Sequence, residues 1–302
     1  MNISIVVCTK DRPDDLRRLL KSLIIQNYAY QDVLIIDGSD NQVKDVVDTF
    51  VGSLPIRYWH VRPPGLTKQR NFGIANLNPD TEWVGFLDDD LELEPNCIVN
   101  LVNYLKSTPK IKGAGLRIND QRDLGKNYLR EFMLIDSYPG GVVTKSGSAA
   151  PIRPYNTAVE TGWLYGGATF WNKKVLEEFK FDEWFSGIGY CEDLDFSYRV
   201  AKKYNLAVCG EARCYHHHRM PGIEKMPAMG EWLVVAWWYF ARVKNSFNIL
   251  FVMWGIFWMS LNNLFIAIFK RDKKRFYMFK GNLNGWKKIF DGQILNSKGF
   301  QK

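Results

Sequence analysis

Three consecutive aspartates, Asp88, Asp89 and Asp90, follow the apolar run Val84-Gly85-Phe86-Leu87. Carboxylates gathered at the end of a buried strand concentrate negative charge that no packing role requires. Hard divalent cations such as Mn2+ and Mg2+ take oxygen ligands and keep positions open for substrate phosphates. The triplet therefore reads as a metal site facing a phosphorylated ligand, in preference to a solvated acidic turn. A second acidic pair, Glu192-Asp193, lies in GIGYCEDLDFSYR among glycines and aromatics. A carboxylate there suits a general base for a hydroxyl, and it comes from a different segment than the metal ligands. The same acids also suit the first turn of a helix. His216-His217-His218 ends an apolar stretch, and strand alternation sends His216 and His218 to one face and His217 to the other. His216 is the first choice to complete the metal shell.

Two further clusters carry chemistry. Asp37-Gly38-Ser39-Asp40 joins an acid able to accept hydrogen bonds from a base or ribose to a glycine that permits a tight turn. Leu66-Thr67-Lys68-Gln69-Arg70-Asn71 places Lys68 and Arg70 at a helix start, where cations and free backbone N–H groups suit phosphates.

Hydrophobic patterning supplies the elements that carry these residues. Short apolar runs at residues 3–7, 33–36, 56–61 and 83–87 predict strands, and helical periodicity predicts helices over 14–25, 43–50 and 67–75. The alternation points to a mostly parallel sheet with helices on both faces. Ligands of such sheets bind outside the carboxyl ends of the strands. Thr9 to Arg12, Asp37 to Asp40 and Asp88 to Asp90 all fall at such ends, giving a nucleotide-binding half through about residue 110. Residues 111–161, with scattered Gly, Pro, Ser and Asn, read as an irregular loop region over the site. Order returns at 162–171, in a helix over 173–179 and in a strand over 206–215.

The last third is different. Residues 232–240 and 247–269 are apolar and aromatic, and the second run approaches the roughly 20 residues that cross a bilayer. Ser260, Asn262 and Asn263 interrupt it, and Lys270, Arg271, Lys273, Lys274 and Arg275 follow. Amphipathic or re-entrant helices at the membrane interface fit this pattern better than a clean span.

Composition narrows the classes. In 302 residues, 46% hydrophobic content with 15% aromatics excludes a disordered chain, and a formal charge of +8 suits an anionic partner. Five cysteines without CxxC spacing argue against a disulfide scaffold and a structural zinc. The start MNISIVVCTKDRP lacks a basic n-region and a cleavage site, so no secretory signal is expected. A cytoplasmic protein, peripheral on the cytoplasmic face of a membrane, is the expected location.

Taken in order, ISIVVCTKDRP, LIIDGSD, GLTKQRNFGI, VGFLDDDLELEP and GGATFWNKKVLEEFKFDEWFSGIGYCEDLDFSYRV resemble glycosyltransferase family 2 over roughly residues 3–220. The resemblance implies a GT-A fold, an inverting mechanism, a nucleotide-diphosphate sugar donor and a divalent cation, Mn2+ or Mg2+. By position, Thr9 and Arg12 would lie against the nucleotide, Asp37 would contact its base, and Lys68, Arg70 and Asn71 would line its pocket. Asp88 and Asp90 match the outer members of the DXD motif, Asp90 on the metal and Asp88 on ribose or metal. Asp89 joins the donor site as the weakest ligand of the three. Asp193, with Glu192 beside it, matches the catalytic base, and His216 the metal histidine. Family members often carry two acids before the Gly-Ser, and Ile36 takes the first place here.

The expected organisation is a GT-A domain over 1–225, with an acceptor half from about 111, and an apolar, basic helical region over 226–302. The expected activity is metal-dependent transfer of a hexosyl or other glycosyl group, in bacterial-type polysaccharide or glycolipid assembly. Its acceptor would be a glycan or a lipid-linked sugar. Two alternatives stand beside this reading. A sugar-phosphate nucleotidyltransferase would carry a glycine-rich loop after the first strand, where Thr9-Lys10-Asp11-Arg12-Pro13 has no glycine. A non-catalytic, basic nucleotide- or nucleic-acid-binding protein would show a recognisable module, and with none visible no nucleic-acid partner is expected.

Overall fold

The run rich in β-branched residues near the N-terminus forms strand β1 (Ile3–Thr9), within the parallel part of the sheet. The computed structural model describes residues 1–121, 123, 125–186, 189–218 and 221–295. After β1 come α1 (Pro13–Ile24), β2 (Asp32–Asp37), α2 (Lys44–Asp48), β3 (Ile56–His60), α3 (Leu66–Ala75), β4 (Trp83–Asp88), β5 (Leu91–Leu93), α4 (Cys97–Ser107) and β6 (Ile111–Ile118). The chain continues through α5 (Tyr128–Phe132), β7 (Val159–Thr161), β8 (Ala168–Asn172), α6 (Lys173–Glu178), α7 (Glu192–Ala201) and β9 (Asn205–His216). It ends in α8 (Met226–Trp238), α9 (Ile249–Phe269) and α10 (Lys273–Phe290).

Two compact units result, one of Met1–Asp123, Arg153–Glu183 and Glu192–His218, the other of Leu124–Ile152, Trp184–Cys191 and Arg219–Lys302. The first holds a nine-stranded sheet in the order β3-β2-β1-β4-β8-β6-β9-β5, with β7 on β9. Strands β3, β2, β1 and β4 are parallel, in a register that aligns Thr9 with Asp37 and Cys8 with Asp88. Their carboxyl ends therefore open on one edge. Beyond β4 the sheet is mixed: β8 is antiparallel to both β4 and β6, and β9 is parallel to β6 but antiparallel to β5 and β7. An antiparallel neighbour needs no crossover helix, so short segments can fill these positions.

The two sheet faces are covered differently. Leu16, Leu19, Leu20 and Leu23 of α1 share a core with Ile3, Ile5 and Val7, each contributing about 1.5–3 kcal/mol by leaving water. Val6 points the other way, against α3, where a Cβ on Gly73 would come within 2.6 Å of it. On this second face Phe86 meets Phe181 edge-on at 5.3 Å, and Phe181 stacks on Phe196 of α7 at 4.2 Å.

Residues 111–161 correct the expectation of an irregular stretch. They begin with β6, an interior strand, and include α5 and β7. Gly113 and Gly115 mimic turn residues in the sequence, but here they make room for larger neighbours. A Cβ on Gly113 would lie 2.4 Å from the Trp171 ring, and one on Gly115 would lie 3.0 Å from Leu164.

In the second unit α8 and α10 approach backbone to backbone. A Cβ on Gly230 would stand 2.0 Å from the Met278 carbonyl oxygen, and one on Gly281 would stand 1.9 Å from that of Pro227. Polar interruptions of the apolar run turn inward. Asn263 donates to Asn282 at 2.9 Å, Asn282 donates to the Gly230 carbonyl at 2.8 Å, and Arg275 donates to Asn263 at 2.9 Å. Asn248 and Asp272 cap α9 and α10 by accepting from Leu250 N and Arg275 N.

Candidate active site

The loops after β1 and β2 are tied to each other. Asp11 N donates to Ser39 Oγ at 2.7 Å, and Asp40 N donates to Asp11 Oδ1 at 2.9 Å. Asp37 is fully buried and accepts from Ser39 N at 2.8 Å, Val43 N at 3.0 Å and Tyr58 OH at 2.7 Å. Burial alone would raise its pKa, but these hydrogen bonds outweigh it and hold the carboxyl below its ordinary range. Asp37 thus shapes the loop from within. Gln69 of α3 locks the strand ends by donating to the Ile36 carbonyl at 2.7 Å and the Thr9 carbonyl at 3.3 Å.

At the end of β4 the three aspartates diverge. Asp89 is buried and accepts from Thr9 Oγ1 at 2.7 Å and Arg12 Nη1 at 3.1 Å. Burial pushes its pKa up to about 7 against the pull of Thr9 and Arg12, which marks it as the aspartate least suited to a cation. Asp90 accepts from the same Arg12 nitrogen at 3.0 Å and stands 3.1 Å from His216 Nε2. The Asp90 carboxyl would be raised by burial, but His216 and Arg12 hold it below its ordinary range. His216 is correspondingly raised by Asp90. Asp88 remains partly exposed and receives Arg70 Nη2 at 3.3 Å.

Pairing of β5 with β9 sets Leu91 opposite His216 and so delivers the histidines to Asp90. His216 and His218 lie on the same side, and one ligand atom from each falls within 4.8 Å of the other and of an Asp90 oxygen. His217 points away to Glu92 at 2.7 Å. Asp90 Oδ1 is buried without an aligned hydrogen bond, an unsatisfied acceptor beside two imidazoles. An oxygen and nitrogen donor set with such an orphan fits a divalent cation.

The second acidic pair opens α7. Asp193 is half-buried and accepts from Gly166 N at 3.2 Å and Leu194 N at 2.7 Å. Glu192 is buried, with Arg70 Nη1 3.5 Å away and Oε2 unpartnered among the described residues. Burial raises both carboxyls, and Glu192 rises further from the neighbouring Asp193 charge. Arg70, fully buried, lies between Asp88 and Glu192 with its guanidinium 5.2 Å from the Phe181 ring centre.

Between the two acidic groups runs the Gly166-Gly167 turn that leads into β8. A Cβ on Gly166 would stand 2.7 Å from the Asp193 Cβ, and one on Gly167 would stand 1.9 Å from Asp88 Oδ2. Neither glycine stands out in the sequence as a site residue. The Gly-Gly pair in GGATFW was the available signal, but only the fold shows what it clears.

Thr9, Arg12, Arg70, Asp88, Asp89, Asp90, Glu192, Asp193 and His216 are thus brought together, with Asp37 one strand away. Two expected residues stand apart. Lys68 is half-buried and makes no hydrogen bond or ion pair among the described residues. Asn71 exchanges hydrogen bonds with the Phe181 backbone at 2.9 and 3.0 Å, so it anchors that segment.

A sheet whose parallel strand ends gather carboxylates, faced by a second acidic pair across a glycine turn, defines an α/β protein of the GT-A type. Residues 4–178 match the family model of glycosyl transferase family 2, and the chain belongs to that family. It is 20% identical over 196 residues to the minor teichoic acid biosynthesis protein GgaA of Bacillus subtilis (strain 168), covering 58% of this chain and 43% of that protein. It is 24% identical over 251 residues to a hyaluronan synthase of Pasteurella multocida, covering 74% of this chain and 25% of that one. The chain therefore spans less than half the length of either relative. Among solved structures, S. aureus TarS 1-349 in complex with UDP-GlcNAc superposes with a TM-score of 0.53 at 13% identity, over 97% of this chain and 92% of that one. The mannosyltransferase PcManGT from Pyrobaculum calidifontis, in complex with GDP-Man and Mn2+, gives 0.57 at 12% identity, over 94% and 87%.

Proposed function

We propose that this chain is an inverting glycosyltransferase that moves a sugar from a nucleotide-diphosphate donor to an acceptor hydroxyl, with a divalent cation at Asp90 and His216. The observation that carries this reading is the Gly166-Gly167 turn, with Asp193 on one side and Asp88 on the other. Backbone N–H groups of Gly166 and Leu194 point at Asp193 and favour its ionised form, as a base requires. Among the described residues, Glu192 Oε2 has no hydrogen-bond donor.

In the reaction, Asp193 takes the proton of the acceptor hydroxyl as that oxygen attacks the anomeric carbon. The bond to the diphosphate breaks on the opposite side, and Arg70 and Arg12 stand at the strand ends to offset the charge that develops there. Thr9, Asp37, Asp88 and Asp89 are assigned to the donor side of the site. A bound cation would supply further charge stabilisation to the leaving group. The Mn2+ in the PcManGT structure supports this assignment. Relatives named for teichoic acid biosynthesis and hyaluronan synthesis support polysaccharide assembly, with a glycan or lipid-linked acceptor. Among the described residues one helix, α9, is long and apolar enough to cross a bilayer, which supports membrane association, here assigned to the cytoplasmic face.

The test is a panel of nucleotide sugars with Mn2+, scored for donor hydrolysis and transfer. One donor should be consumed by the wild type, while Asp193→Asn lowers turnover by about 10²–10⁴-fold with donor binding retained. Wild-type turnover in Asp193→Asn would overturn the base assignment. Retention on immobilised RNA or DNA, with no donor consumed, would favour the non-catalytic reading.

A further inference from the structure

Helix α9 is apolar around most of its circumference, and its large side chains are not all buried. Its buried stripe carries Val252, Ile256, Ser260, Asn263 and Ala267, and so includes two of the helix's three polar interruptions. The opposite side presents Leu250, Trp254, Phe257, Phe265 and Ile268, of which Leu250 is 71% exposed. The apolar surface continues onto α5, whose exposed Phe132 meets Trp254 at 5.3 Å. Exposed large side chains in such continuity mark a surface that is covered in use.

Charge identifies the cover. From Ile249 to Phe290 the sequence carries eight basic residues and one acid, Asp272, which is occupied as the cap of α10. Along α10 the exposed side chains alternate between basic and apolar, with Phe276, Lys280, Leu283, Lys287 and Phe290 following one another on one face. Lys280 lies 4.8 Å from the Phe276 ring centre. Lysines set among aromatics suit the headgroup layer of an anionic bilayer, where rings enter the acyl boundary and ammonium groups meet phosphates.

Packing also fixes the mode. Helix α10 runs back along α9, joining Arg275 to Asn263, Asn282 to Asn263, and Trp286 to Ser260. If α9 crossed a bilayer, its middle at Ser260 and Asn263 would lie at the centre. Lys280 and Lys287 of the adjoining α10 would then be held at the depth where a charge is costliest. We infer that α9, α10 and α5 form a docking surface for an anionic phospholipid bilayer, on which α9 lies in the interface plane without crossing. This rests on the membrane association proposed above and specifies its lipid and its geometry.

The test uses the full chain. Flotation with phosphatidylcholine vesicles, with and without phosphatidylglycerol, should show binding that depends on the anionic lipid and weakens with salt. Lys280→Gln with Lys287→Gln should lower the partition onto anionic vesicles by roughly 30-fold. Phe257→Glu with Phe265→Glu should abolish binding while donor hydrolysis stays unchanged, so a docking failure is told apart from a failure of the transferase reading. Lys244→Cys and Lys270→Cys flank α9. In sealed membrane vesicles from bacteria expressing the chain, an impermeant maleimide should label both variants from the same side. Labelling of one only after detergent means a span and overturns the flat mode. Equal binding to neutral vesicles, or a dimer that covers α9 and binds no vesicles, overturns the anionic-bilayer assignment.

Discussion

Replacing Gly167 with alanine tests whether the position of Asp88 governs turnover. The added Cβ would lie 1.9 Å from Asp88 Oδ2 and 2.2 Å from its Cγ, whereas real Cβ contacts do not fall below 3.0 Å. The carboxylate must therefore move by at least about 1.1 Å, a displacement of the size that costs on the order of 10²-fold in rate when it misplaces a reacting group. The backbone cannot absorb it easily. Asp88 N donates to the Gly167 carbonyl at 2.8 Å, and the adjacent Leu87 and Ala168 are paired in the β4–β8 ladder. The side chain has to rotate instead, which breaks its 3.3 Å contact with Arg70. Gly167 does not sit at positive φ, so alanine adds no backbone strain and the stability loss should stay near the roughly 1–3 kcal/mol of local overpacking. The assay compares kcat/KM for the donor that the panel identifies, alongside thermal unfolding. Gly52→Ala, where nothing lies within 4 Å, is the control and should be neutral within about 0.5 kcal/mol. A folded Gly167→Ala protein with wild-type kcat/KM would refute the claim that Asp88 acts from its observed position.

Three further outcomes follow from the same geometry. Arg70→Met leaves the Glu192 and Asp88 carboxylates without their cation and should cost roughly 3–5 kcal/mol, read by denaturant unfolding. Adding Glu192→Gln should recover part of that loss, and strict additivity of the two changes would argue against the pair. A divalent cation held as proposed by Asp90 and His216 must displace any proton on His216, whose pKa Asp90 lifts above the usual value of about 6.5. Mn2+ affinity should therefore weaken by about tenfold per pH unit as pH falls below that raised value, and His216→Ala should flatten the dependence in calorimetric titrations. Burial raises Asp193, so its ionised form is lost at a higher pH than for an ordinary aspartate. The acid limb of kcat/KM should accordingly fall above the usual range near 3.9, and a limb at or below that value would show that the base lies elsewhere.

Much of the edge of the sheet that carries the candidate site was legible in the chain. Runs such as 3–7, 33–36 and 83–87 are too short and too β-branched for helices and too apolar for loops, so they had to be buried strands. The polar residues that end them had to lie on one edge once the strands were parallel. Thr9, Asp37 and Asp88 are placed by this logic, and the register confirms their alignment. Strand alternation likewise separates His217 from His216 and His218.

Contacts between distant segments were decided by the tertiary structure alone. Local pattern does not encode which loop a carboxylate meets, so nothing in the sequence sets Gly166 against Asp193, 27 positions later, or Gly167 against Asp88. Glycine also misleads. Gly113 and Gly115 carry the signal of a loop, yet they lie in a strand because Trp171 and Leu164 occupy the space their side chains would take. The tail shows the same division. Sequence alone gave an apolar helix with three polar breaks and a basic sequel. Only packing against α8 and α10 decided that Ser260 and Asn263 turn inward while Leu250, Phe257 and Phe265 face out. The physical reason is common to all these cases: periodicity reports which side of an element is apolar, but complementary volume and hydrogen-bond partners decide what that side meets.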